Sequence, residues 1–203
     1  MSYFPMFVEL KYKRCLIIGG GRIAFHKVKV LMDFGARLTV VAPEILPDIC
    51  KTAGVDCRKK CFEEKDLDGQ ELVVAATDDT ALNHKISCLC KQEKIPINVV
   101  DRPEECSFIF PAYLKEQEVV AAFSSGGQSP LITQYLKEKT RSVVTPQIGE
   151  LASCLGSLRK TVQQCTETKN AGKNIYRELL QLGLEEDRIP TEKEIEEIID
   201  KYR

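Results

Sequence analysis

Three clusters in this sequence combine residue types and spacings that can do chemistry. Gly19-x-Gly21-x-x-Ala24 lies in CLIIGGGRIAFHKV, after an apolar run and at the head of a helix-like pattern. Such a turn receives a pyrophosphate: the first glycine allows the tight bend, the second lets the phosphates approach the backbone, and the small third residue lets helix and strand pack closely. Free N–H groups and the macrodipole at the helix N-terminus favour the anion. Asp101, in INVVDRPEEC, is a carboxylate that follows directly on an apolar run. Half-buried beside a substrate it has the makings of a general base, and it equally could pair with Arg102 or cap the turn into Pro103. Ser124-Ser125-Gly126-Gly127-Gln128-Ser129-Pro130 reads as a second anion-receiving turn. Ser129 is a good N-cap, Pro130 suits the first helical position, and Gly126 and Gly127 free the backbone before them. Lys137, Lys139 and Arg141 follow on that helix as the nearby cations such a dock would have; the plainer alternative is a strand–turn–helix with a solvated basic end.

The acidic residue that usually holds the ribose at the end of the second strand is replaced here by Ala42-Pro43-Glu44. Either Glu44 reaches the ribose, or backbone groups of Ala42 and Pro43 line the adenosine pocket. No arginine lies between Leu38 and Cys57 to receive a 2′-phosphate, which favours NAD over NADP. Thr77 and Asp78 end a further apolar run at the edge where ligands bind, and Asp78 or Asp79 equally serves as an N-cap. Asn83, His84 and His26 are read mainly as structural or solvent-facing.

The elements that must position these groups follow from periodicity. Cys15–Ile18, Leu38–Ala42, Glu71–Thr77 and Ile95–Val100 are short continuous apolar runs, as expected of strands buried on both faces. Between them lie helical patterns over about 23–34, closed by Gly35, and about 81–93. Alternation of this kind defines an α/β protein with a Rossmann-type parallel sheet over residues 1–112. Residues 113–145 form a small further segment, with EVVAAFSS as a strand and a helix over about 130–141. Residues 146–203 carry no strand signal and form a helical C-terminal domain. A helix is expected from Thr145-Pro146 to about Gln164, and a last one from the capping box Thr191-x-x-Glu194, with Ile195, Ile198, Ile199 and Tyr202 on one face.

Composition narrows the partners. Lys and Arg total 29 against 30 Asp and Glu, so the chain is no general nucleic-acid binder and any anionic ligand must meet a local cluster. No apolar run is long enough to span a bilayer, and Glu9 interrupts the N-terminal apolar stretch, so a cytoplasmic protein with no membrane partner is expected. Nine cysteines at irregular spacing fit neither a disulfide framework nor a zinc knuckle, and no metal site is expected.

Together FPMFVELKYKRCLIIGGGRIAFHKV, GARLTVVAPE, VVAATDD, INVVDRPEECSFIFPA and AAFSSGGQSPLI resemble, in order and spacing, the precorrin-2 dehydrogenase family, the dehydrogenase/chelatase module of siroheme synthases. The resemblance covers residues 1–145 closely and the helical tail loosely. It implies NAD-dependent oxidation of precorrin-2 to sirohydrochlorin by a homodimer, with residues 113–145 as the dimerisation and substrate-cleft segment. It maps the catalytic carboxylate, as general base, onto Asp101. It maps NAD contacts onto Arg22, Ile23, Pro43 and Glu44 beside Gly19 and Gly21, and substrate positioning onto Ser129 in the Gly126–Gly127 turn. Some members also insert iron into sirohydrochlorin, and the residues here leave that activity open. The reading from another class is a non-catalytic NAD-binding dimer that senses redox state, which would have no need of Asp101 together with SSGGQSP.

Overall fold

A computed structural model describes residues 3–166 and 168–203. The chain divides into two compact units, Met1–Phe110 and Pro111–Arg203.

In the first unit five strands form one parallel sheet: β1 (Arg14–Ile18), β2 (Arg37–Ala42), β3 (Val55–Lys59), β4 (Leu72–Ala75) and β5 (Ile97–Val99), in spatial order β3-β2-β1-β4-β5. Side chains alternate between the two faces, so the run Cys15–Ile18 feeds both. Cys15 and Ile17 pack with Leu38, Val40, Val74 and with Ala24, Val28 and Leu31 of helix α1 (Arg22–Asp33). Leu16 and Ile18 pack on the other face with Val73, Ala75, Ile97, Val99 and with Ile86 and Cys90 of helix α3 (Thr80–Gln92). A short helix α2 (Pro47–Cys50) buries Ile49 on the α1 face. Burial pushes the thiols of Cys15 and Cys90 up to about 12, leaving both as small apolar core groups. Gly35, at φ +73°, takes the left-handed position after α1, its N–H donating to the Met32 carbonyl at 2.9 Å. The four strands read from apolar runs are all present. β3 is additional: only Val55 and Cys57 of VDCRK are even partly buried, so this edge strand has no apolar run to announce it.

In the second unit β6 (Ala112–Glu116) and β7 (Val119–Phe123) form an antiparallel hairpin, with Gln117 left-handed at the turn (φ +54°). The helices are α4 (Pro130–Thr140), α5 (Pro146–Ser157), α6 (Arg159–Cys165), α7 (Lys169–Glu185) and α8 (Glu192–Asp200). Residues 113–145 and the helices after 146 share this unit. The helix expected to run to Gln164 breaks at Leu158, after the weak helix formers Gly156 and Ser157. α5 approaches the hairpin at Gly149, where a Cβ would stand 2.7 Å from the Glu116 carbonyl oxygen. It approaches α7 at Gly183, where a Cβ would meet Leu151 at 2.7 Å. Val162, Ile175, Leu179 and Ile199 form the helical core, with Ile195, Ile198 and Tyr202 packed against it. The capping box at Thr191 and Glu194 is formed.

Candidate functional site: a dinucleotide turn and a strained carboxylate

All five strands of the first unit are parallel, so their carboxyl ends share one edge. The order reverses between β1 and β4, and ligands of open α/β sheets bind at such a switch point. The glycine turn leaves β1 there. Gly19 has φ +124°, and a Cβ on it would lie 2.1 Å from the Ala76 carbonyl oxygen. Only glycine fits between these strand exits. Its N–H donates to the Val41 carbonyl at 3.0 Å. Gly20, which the motif treats as a spacer, is equally confined: a Cβ would lie 2.0 Å from the Glu44 carbonyl oxygen. The Gly20 carbonyl accepts from the Leu46 N–H at 2.9 Å, tying the turn to the loop after β2.

Gly21 differs. Its backbone is extended (φ −86°, ψ −169°) and a Cβ there would meet nothing within 4 Å. No internal packing demands a glycine, so the open space above it suits a ligand. Gly21 is also the N-cap of α1, with no side-chain cap and no acidic residue in the first turn. The other helices of eleven or more residues among the described residues are capped by Asp79, Ser129, Thr145 and Thr168. The first-turn N–H groups of α1 therefore await an external acceptor, and a pyrophosphate fits them. Arg22 is exposed and Ile23 is 49% exposed beside the same turn. Ala42 is buried at the end of β2, while Pro43 and Glu44 are exposed beyond it.

At the exit of β4, Thr77 is bound up with Asn83. Its hydroxyl donates to Asn83 Oδ1 at 2.7 Å, and the Asn83 amide donates to the Thr77 carbonyl at 2.9 Å. Buried Asn83 is thus a strut for this exit, as expected of a structural residue. Of the two candidate caps, Asp79 is the one used, accepting from the Leu82 N–H at 3.0 Å. Asp78 is exposed beside it. His84 contacts Glu105 at 3.2 Å, and His26 is exposed.

Asp101 leaves β5 on the same edge. It is neither half-buried nor paired with Arg102: β5 stops at Val99, Asp101 is exposed two residues on, and Arg102 pairs with Glu104 at 3.7 Å. Its backbone is left-handed, φ +59°, a conformation that costs a non-glycine residue about 1–2 kcal/mol and that Asp tolerates better than most. Cys106 supplies the constraint. Its sulfur accepts from the Val99 N–H at 3.1 Å and lies 3.2 and 3.3 Å from the Val99 and Arg102 carbonyls, clasping the loop on both sides of Asp101. Ser107 and Phe108 then bind the edge of β5 through Ile97 and Asn98. Neither the left-handed turn nor the sulfur clasp has a sequence signature.

In the second unit Gly126 and Gly127 are both left-handed, at φ +64° and +85°. Ser129 caps α4, accepting from the Ile132 N–H at 3.4 Å, and its own N–H donates to Ser125 Oγ at 2.9 Å. The cations expected beside this turn are not beside it. Lys137 and Lys139 occupy the last turn of α4 and Arg141 pairs with Glu138 at 3.1 Å, about 12–18 Å along the helix from Ser129 at 1.5 Å per residue. They complement the helix C-terminus instead.

A five-stranded parallel sheet with helices on both faces and an uncapped glycine turn at its switch point defines a dinucleotide-binding domain. The chain belongs to the family described as "Putative NAD(P)-binding", whose pattern matches residues 6–112. It is 39% identical over 166 residues to a siroheme synthase of Thioalkalivibrio sulfidiphilus (80% of this chain, 34% of that protein). It is 35% identical over 184 residues to one of Methylococcus capsulatus (89% and 39%). The chain thus spans between a third and two fifths of the length of these curated relatives. A solved structure of SirC, a precorrin-2 dehydrogenase, superposes with a TM-score of 0.78 at 25% identity, covering 98% of this chain and 100% of that one. Among the described residues no helix is long and apolar enough to cross a membrane.

Proposed function

We propose that this chain oxidises precorrin-2 to sirohydrochlorin, with NAD as hydride acceptor. The observation that carries the reading is the likeness to SirC over 98% of the chain, both units included, where a bare dinucleotide fold would match only the first. NAD supplies the hydride-accepting ring. The chain's own residues do the rest: the first turn of α1 receives the pyrophosphate, Gly21 gives it room, and Ile23, Pro43 and Glu44 cover the cofactor beside the exits of β1 and β2. With the adenosine half over β2, the reactive half falls towards β4 and β5, where Asp101 stands. One hydride leaves the substrate for the cofactor and one proton leaves for a base, and Asp101 is the base. The lack of arginine between Leu38 and Cys57 favours NAD over its 2′-phosphate. Ser129 and the Gly126–Gly127 turn hold a substrate carboxylate.

The active form is a homodimer. Helix α4 buries none of its residues, leaving Leu131 82% exposed together with Ile132, Tyr135 and Leu136, and the β6–β7 hairpin has only two strands. An apolar face next to a sheet with open edges suits a second copy of this chain.

Anaerobic incubation with precorrin-2 and NAD tests the proposal. Equal amounts of NADH and sirohydrochlorin are expected in the absorbance spectrum. NAD binding without either product would refute the enzyme and favour the redox-sensing dimer. Ferrous ion added afterwards tests iron insertion.

A further inference from the structure

One cation, Lys27, faces Asp101 from helix α1. Lys27 lies on α1, five residues beyond Arg22, and its side chain is half-buried. Its ammonium sits 3.9 Å from the centroid of the Phe110 ring. The charged or titratable groups that face it are Asp101 and Cys106. Glu104, Glu105 and Lys91 in turn surround Cys106, whose thiol burial pushes up, so that at neutral pH the thiol is uncharged and Asp101 is the carboxylate that faces Lys27. Among the described residues Lys27 makes no ion pair.

A surface lysine normally runs its stem along apolar groups and keeps its ammonium in water. Here the head itself loses water, and burial lowers its pKa below the ordinary 10.5. A ring face offsets part of that loss, and a full counter-ion would offset more. Lys27 makes no ion pair with Asp101, so its ammonium is free to meet a carboxylate of the substrate. The proposed substrate is a polycarboxylate that must bring its ring up to a negatively charged base, and it would be repelled without a cation at that point. We propose that Lys27 is a substrate-positioning residue whose ammonium takes one carboxylate of the tetrapyrrole and seats the reacting carbon against Asp101. The inference rests on the precorrin-2 reading and adds to it a residue that neither the glycine motif nor the SSGGQSP turn contains.

Lys27→Met keeps the length and apolar stem, and Lys27→Arg keeps the charge. In steady-state assays near neutral pH, Lys27→Met raises KM for precorrin-2 by about 10- to 100-fold, the range of one charge-assisted hydrogen bond, while kcat changes much less. Lys27→Arg restores most of the affinity. In the wild type KM rises at alkaline pH as Lys27 loses its proton, with a midpoint below 10.5. That limb vanishes in Lys27→Met and moves to higher pH in Lys27→Arg. NAD affinity, measured by titration in all three proteins, stays the same, which a merely structural role for Lys27 would not predict. Equilibrium titration of sirohydrochlorin into the NAD-bound proteins repeats the comparison without turnover. If the wild type makes no sirohydrochlorin the precorrin-2 reading fails, and the titration still decides Lys27. Wild-type KM, alkaline limb and sirohydrochlorin affinity in Lys27→Met would overturn the inference, as would loss of NAD binding in parallel.

Discussion

Two glycines of one motif are predicted to fail in opposite ways when changed to alanine. At Gly19 the methyl group enters at φ +124° and points at the Ala76 carbonyl, 2.1 Å from its oxygen and 2.6 Å from its carbon. Backbone strain at such a position is worth about 1–3 kcal/mol. Moving the β4 exit aside by more than an ångström adds about 1–3 kcal/mol of overpacking. The sum, roughly 2–6 kcal/mol, is a large part of the 5–15 kcal/mol that holds a domain together. For a unit of about a hundred residues, each kcal/mol lowers the melting temperature by about 4–8 °C, so Gly19→Ala is expected to melt at least about 8 °C early. At Gly21 the backbone is one alanine adopts freely and the methyl meets nothing within 4 Å. Only the modest N-cap preference for glycine over alanine is lost, about 1 kcal/mol or less. Its methyl group would, however, occupy the space proposed for the pyrophosphate, and displacing one charge-assisted hydrogen bond weakens NAD by about 10- to 100-fold. Thermal melting with and without NAD reads both effects, since a bound ligand raises the midpoint in proportion to ln(1 + [L]/Kd). Gly19→Ala melts early with or without NAD. Gly21→Ala melts near the wild type but gains little from NAD. A Gly21→Ala protein with wild-type NAD affinity would refute the placement of the cofactor, and a Gly19→Ala protein of wild-type stability would refute the steric argument.

Three further outcomes are expected. Asp101→Asn keeps NAD affinity and loses about 10²- to 10⁴-fold in kcat, the usual share of a general base, and because Asn tolerates the left-handed region it melts like the wild type; Asp101→Ala is equally inactive but about 1 kcal/mol less stable. Full turnover by Asp101→Asn would remove the base from the mechanism. Leu131→Glu places a charge in the exposed apolar face of α4 and is expected to run as a monomer in light scattering; an unchanged dimer would move the interface elsewhere. The third concerns Glu194, whose carboxyl the Arg188 guanidinium, 2.6 Å away, holds far below its ordinary 4.5, helped by the Thr191 N–H. A depressed carboxyl stabilises above its unfolded pKa and ceases to as pH falls through the folded one. Glu194→Gln should therefore lower the melting temperature of the helical unit at pH 7, and the gap to wild type should close only below pH 4.5; a gap that stays constant into acid would deny the linkage.

The sheet was legible wherever burial on both faces forces a continuous apolar run, as in LIIG, LTVVA, LVVA and INVV. It was illegible at β3 and β6, where VDCRK and AYLKE each bury little and the β6–β7 turn uses Gln117 in place of glycine or asparagine. Capping chemistry read well because a cap is local: Ser129, Thr145 and Thr191 each bond a backbone N–H three residues on. What sequence withheld depends on contacts far along the chain. Gly20 looks like a spacer until the Glu44 carbonyl is found 2.0 Å from where its Cβ would be, and Lys27 looks solvated until Phe110 covers it. The expectation of cations beside the Ser129 turn failed for a reason the sequence did contain, since a lysine eight residues into a helix is two turns away from the first.

Apart from Gln117 in the tight β6–β7 turn, left-handed residues stand at three strand exits and show where the chain gives up stability. Gly19 follows β1, Asp101 follows β5, and Gly126 and Gly127 follow β7. A chain leaving a strand for a turn above a sheet edge must bend sharply, and glycine does so with the least strain. At the first and third of these exits glycine is what stands there, consistent with sites where backbone groups alone meet an anion. At the second the bend is kept with a side chain in place, and the clasp of Cys106 sulfur on Val99 and Arg102 holds it. A left-handed carboxylate has no packing reason to be there, being exposed and without a partner in its own loop. Strain retained where a glycine would relieve it argues that the side chain is what the position is for.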